Sequence, residues 1–79
     1  MNPVEEYAHE LNAWDLAYPG IFIQFMNVNN NPLLEAEYKT VVFSQLLMIH
    51  GITPIMRKNE YARLIELAEE IFLSELKDK

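Results

Sequence analysis

Ile21-Phe22-Ile23-Gln24-Phe25-Met26-Asn27-Val28 is the stretch on which the fold class turns. Its β-branched and aromatic residues suit a strand, and its length suits a strand or a short helix equally. A buried strand must hand its backbone N–H and C=O groups to a neighbour. No other part of the chain reads as that neighbour. The segment is therefore read as a short helix, the alternative being a strand that pairs with a second copy of the chain. Pro19–Gly20 bounds it on one side and Asn29–Asn31 on the other.

Upstream, the pattern predicts a helix over 3–17. Asn2 can cap it, and Pro3 fits the first helical position, where a missing N–H costs nothing. Glu5 and Glu6 lie where the helix dipole favours anions. Val4, Tyr7, Ala8, Leu11, Trp14 and Tyr18 recur at three- and four-residue spacing, which is one apolar stripe. Pro19–Gly20 is expected to end it.

Downstream, a helix is expected over 32–50, capped by Asn31, with Pro32 first and Glu35 placed for a capping box. Glu35 and Lys39 have the spacing of an i, i+4 ion pair. From Val41 to Ile49 this helix is apolar on nearly every side (Val41, Val42, Phe43, Leu46, Leu47, Met48, Ile49). Such a helix sits centrally in its bundle or is covered by a partner. Gly51 supplies a left-handed stop, and His50 before it can cap the helix end and complement its dipole. A last helix starts near Pro54 or Glu60 and runs to about 77. Its stripe is Tyr61, Leu64, Ile65, Ala68, Ile71, Phe72 and Leu76, widened by Leu67 and Leu73. The fold expected is one all-α domain over 1–79, a small bundle of three or four helices.

With 79 residues, 51% of them hydrophobic, the chain is too small to hide all its apolar surface comfortably. Chains of this size often rely on a disulfide, a metal or a partner. There is no cysteine, so a homodimer is the support expected. Phe22, Phe25, Met26, Val42, Phe43, Leu46 and Leu47 are the expected self-association residues. The aromatic group Trp14, Tyr18, Phe22 and Phe25 is read as mostly core.

Twelve Asp and Glu against six Lys and Arg leave a net charge of −6. The imbalance lies in the first half: residues 1–38 hold Glu5, Glu6, Glu10, Asp15, Glu35 and Glu37 and neither Lys nor Arg. An acidic surface repels phosphate, which argues against nucleic acid and anionic membranes. The uncharged stretches Leu16–Leu34 and Thr40–Met56 are too broken by Pro, Gly and polar residues to span a bilayer. A cytoplasmic protein is the expectation. Glu5, Glu6, Glu10 and Asp15 are the residues expected to meet a basic protein partner.

Three constellations bear on chemistry. Glu6-x-x-His9 has the spacing of ferritin-like di-iron carboxylate sites, which need two such motifs and further carboxylates. Here that requires a dimer, so Glu6 and His9 across two chains are the metal-binding alternative. Glu66-x-x-Glu69-Glu70 is similar to the magnesium-binding helix of all-α nucleotide pyrophosphohydrolases but lacks a second acidic motif; it reads as a solvated face. The run from His50 to Pro54 with Arg57, Lys58 and Arg63 after it offers a helix-turn-helix alternative that binds DNA, against the charge of the chain. No nucleophile with a base and no phosphate loop is present. The expectation is a non-enzymatic protein–protein interaction module, without catalytic, metal-binding or cofactor residues, acting as an assembly chaperone, adaptor or inhibitor.

Overall fold

A computed structural model describes residues 3–77, with backbone alone at residues 3, 4, 75 and 77. Its elements in chain order are α1 (Pro3–Glu6), α2 (Ala8–Ala17), α3 (Pro19–Asn29), α4 (Ala36–Ile49) and α5 (Lys58–Lys77). The protein is all-α. α1 and α2 are one helix interrupted at Tyr7, whose φ of −103° and ψ of 19° leave the helical region. The described residues thus form four helical rods, as the apolar spacing implies. Asn2, read as the first cap, lies outside the described residues.

The segment 21–28 is helical. Pro19 closes α2 and opens α3 at once. The residue before a proline is pushed out of the α region, and Tyr18 at φ −138° and ψ 65° makes the corner. Pro19 then stands at the start of the next helix, where its ring costs no hydrogen bond. Ile21, Phe25 and Val28, at spacings of four and three, turn inward.

The start of α4 comes later than the sequence suggests, and that of α5 falls between the two starts it offers, Pro54 and Glu60. Pro32 does not open α4: Asn31 Oδ1 accepts the N–H of Leu33 at 2.9 Å, a local turn that competes with helix formation. Glu35 is extended at φ −72°, ψ 153°, and the helix begins at Ala36. Thr53 behaves alike. Its hydroxyl accepts the N–H of Met56 at 2.9 Å, so Pro54–Met56 form a turn before α5 starts at Lys58. The far end of α4 agrees with the sequence. His50 is its C-cap, and Gly51 adopts φ +80°, a conformation that residues with a Cβ avoid. Gly51→Ala is expected to lower stability by about 1 kcal/mol or more, read from chemical unfolding, although open space surrounds the added methyl.

The core is built on four aromatic rings from four elements. Phe25 of α3 lies 5.4 Å from Trp14 of α2, 5.5 Å from Phe43 of α4 and 5.2 Å from Phe72 of α5, centroid to centroid. Leu11, Leu47, Ile52, Leu64, Leu67, Ala68 and Ile71 complete it. α4 packs between α3 and α5. Gln24 of α3 meets His50 at the end of α4 (2.9 Å), while Asn29 meets Lys39 near its start (2.8 Å), so α3 and α4 run antiparallel.

Candidate functional site

The residues expected to self-associate divide into two sets. Phe25, Phe43 and Leu47 are completely buried inside the protomer, so they are not open to a second chain. Phe22, Met26, Val42 and Leu46 are half-buried and pack against the same core. The physical reason is the turn of the helix. On α4, Ala36, Lys39, Phe43 and Leu47 share the inward face. The opposite face carries Tyr38, Val41, Met48 and Ile49, the last two 55% and 78% exposed. Tyr38, Val41, Gln45 and Met48 have a 3-4-3 spacing, the seam that packs one helix on another. Between Thr40 and Met56 no Asp, Glu, Lys or Arg interrupts it. Ile23 is the exposed apolar residue on the back of α3.

The acidic N-terminal set is also divided. Glu5, Glu6 and Asp15 are exposed. Glu10 is held by Arg63 of α5: Nε donates to Oε2 at 2.8 Å and Nη2 donates to Oε1. Arg63 also donates to Glu66 at 3.0 Å. Its guanidinium is pushed still higher, chiefly by the hydrogen bond to Glu10. A contiguous negative patch of Glu5, Glu6, Glu10 and Asp15 is therefore interrupted at Glu10.

The same edge of the molecule holds two tyrosines. Tyr7, at the α1–α2 break, has its phenol pushed up to about 12, first by its hydrogen bond to Glu70 and also by the Glu6 and Glu70 charges. The hydroxyl of Tyr18 donates to Glu60 at 3.4 Å. Burial and the Glu60 charge raise its pKa. A phenol whose pKa is raised by folding adds stability that is complete below about 10 and lost as pH rises through its folded value. Alkaline difference absorbance, wild type against Tyr7→Phe, is expected to show Tyr7 ionising near 12, and Glu70→Gln to return it toward 10.

Neither chemical alternative gains geometry. Among the described residues no group of three His, Cys, Asp or Glu is placed to hold a metal. Glu6 and His9 are both exposed on the α1–α2 edge, so the metal reading still requires a second chain. For the helix-turn-helix, residues 50–57 separate α4 from α5, longer than the three- or four-residue turn of that motif. Arg57 is engaged by Glu60 at 3.3 Å and Arg63 by Glu10 and Glu66. No described helix is long and apolar enough to cross a membrane.

One buried polar atom stands out beside the α4–α5 contact. The hydroxyl of Thr40 is enclosed without a hydrogen-bond partner. An enclosed, unpaired hydroxyl costs about 1–3 kcal/mol. Thr40→Val is therefore expected to raise stability by about 1 kcal/mol, measured by urea unfolding. Compared with protein-family models, characterised proteins and solved structures, the chain matches none.

Proposed function

We propose that the protein is a non-enzymatic protein–protein interaction module that self-associates as a homodimer and offers an acidic surface to a basic protein partner. The observation that carries the first half is the bare back of α4. A helix in the middle of the bundle exposes Tyr38, Val41, Met48 and Ile49, and from Thr40 onward its sequence carries no charge. Exposed apolar faces on small proteins mark contact sites. Antiparallel pairing of two such helices is self-complementary under a two-fold axis, and it opposes their dipoles favourably. The second half rests on the net charge of −6. An assembly chaperone, an adaptor or an inhibitor working in the cytoplasm fits both.

A single helix face is a small contact, below the roughly 800 Å² per partner of a standard interface. A dimer that dissociates at about micromolar concentration is expected. Light scattering across a dilution series measures this. Met48→Lys with Ile49→Lys should give a folded monomer at every concentration. A wild-type chain that is monomeric up to millimolar concentration would reject self-association.

A further inference from the structure

We infer that the groove between α4 and α5 is the docking site for a basic amphipathic helix of a partner protein. The inference rests on the protein-partner half of the proposed function and not on self-association. The groove proper is a depression of about 270 Å³ lined by Glu37, Thr40 and Val41 of α4 and Glu69 and Leu73 of α5; through Glu69 and Leu73 it continues into one of about 430 Å³ that runs along the outer face of α5 alone. Its floor is apolar: Val41 of α4 with Ala62, Ile65 and Leu73 of α5. Its rim is four carboxylates, Glu37, Glu66, Glu69 and Glu70, all exposed.

The charge around it is only partly compensated. Arg63 reaches Glu66 at 3.0 Å, and Glu70 stands near enough to Tyr7 to raise the pKa of its phenol. Glu37 and Glu69 make no ion pair among the described residues. An apolar trough walled by carboxylates is complementary to a helix with apolar residues at i, i+3, i+4 and i+7 and Lys or Arg on its flanks. The helix supplies the anchors to the floor, and its cations reach the rim.

Other occupants fit less well. A second copy of this chain has no such helix to offer. Residues 1–38 contain no Lys or Arg, Lys39 is turned inward, Arg57 and Arg63 already face carboxylates, and between Lys58 and Lys77 the sequence holds no base but Arg63, so no helix carries cations along its flanks. Nucleic acid and anionic lipid would meet four carboxylates. The depressions are open rather than enclosing, which suits side chains on a rod better than a small molecule that must be surrounded.

The test uses a synthetic amphipathic Leu/Lys helical peptide, a scrambled peptide of the same composition, and a Leu/Glu version. Binding is monitored by fluorescence anisotropy and mapped by amide chemical shifts on the full chain. The Leu/Lys helix should bind saturably, shift Val41, Ala62, Ile65 and Leu73, and weaken with added salt. Glu37→Lys with Glu69→Lys should weaken it at least about tenfold, and the milder Glu37→Gln with Glu69→Gln should weaken it less. Glu5→Lys with Asp15→Lys should change it by less than about twofold. Equal binding of the scrambled peptide or of the Leu/Glu version, shifts confined to α1 and α2, or no saturable binding would overturn the inference. Shifts at Ala62, Ile65 and Leu73 on diluting the protein alone would also overturn it, by assigning the groove to a second copy; a dilution shift confined to α4 reports only the dimer seam, which shares Val41. Light scattering on the same samples separates the two readings. Peptide binding by a strict monomer leaves the groove standing without the dimer. A dimer that ignores the peptide leaves the reverse.

Discussion

Phe25→Ala is expected to bring the protein to the edge of unfolding at room temperature. The ring touches one aromatic side chain from each of three other helices and is fully buried. Emptying such a site costs about 3–5 kcal/mol, the transfer term plus the cavity. A chain of 79 residues has a total stability of only roughly 4–12 kcal/mol. The thermal midpoint should fall by at least about 12 °C, at the usual sensitivity of roughly 4–8 °C per kcal/mol for small domains. Phe25→Leu, which keeps most of the volume, should lose much less.

The companion variant is Ile23→Ala. In a strand, residues 21, 23 and 25 share a face, so Ile23→Ala and Phe25→Ala would cost comparable amounts. In a helix, 21, 25 and 28 share it. The structure leaves Ile23 58% exposed, and its truncation should change stability by less than about 0.5 kcal/mol. Circular dichroism melts of the two variants decide between the periods. Similar losses at both positions would contradict the helical register of α3.

That contrast also shows what kind of information the sequence carries. The all-α class and the approximate course of the helices are legible, because apolar spacing along a rod is a local property. Even 21–28, whose composition favours a strand, is resolved by the absence of a second strand. The starts at Ala36 and Lys58 are hidden because Asn31 and Thr53 can cap a helix or close a turn, and the same side-chain oxygen serves either. Pro19 likewise reads as a stop, though a proline that ends one helix and a proline that begins another are told apart only by the residues on its C-terminal side.

The candidate site is less legible, for a different reason. Glu10 looks free in the sequence because its cation, Arg63, is 53 residues away. Phe25, Phe43 and Leu47 are drawn into an expected interface because a count of apolar residues says that some must be uncovered without saying which. A signal does exist on α4. The face through Tyr38, Val41, Gln45 and Met48 carries a glutamine at its middle, where the opposite face carries Phe43 and Leu47, although Lys39 on that inward face blurs the contrast. The groove between α4 and α5 has no sequence signature. Most of its residues share α5, and Glu66, Glu69 and Glu70 read as an ordinary wet face until Glu37 and Val41 of α4 are brought beside Glu69 and Leu73.

Lys39→Glu is the second substitution expected to be severe, and it turns on a residue that spacing alone misassigns. An i, i+4 rule pairs Lys39 with Glu35, four residues before it. The structure places Lys39 on the inward face of α4, 4% exposed, with Nζ donating to the carbonyl of Asn29 at 2.8 Å. That carbonyl is in the last turn of α3, where the backbone acceptors lack partners within the helix and the dipole favours a cation. Lys39 thus fastens the end of α3 to the start of α4 across the 30–35 turn.

Lys39→Met keeps the aliphatic stem and removes the charge-assisted hydrogen bond, a loss of about 1.5–3 kcal/mol. Lys39→Glu places a carboxylate against the Asn29 carbonyl in a confined site. A buried charge without its counter-group costs about 3–5 kcal/mol, comparable with the loss of Phe25. Urea unfolding should rank wild type above Lys39→Met above Lys39→Glu. Amide exchange should accelerate first at the C-terminal turn of α3, where the capped carbonyl lies, and only later at Phe72. Uniform acceleration across all helices would assign Lys39 a part in the global core, and an unchanged exchange rate at Asn29 and Asn30 would remove its role as the clasp between α3 and α4.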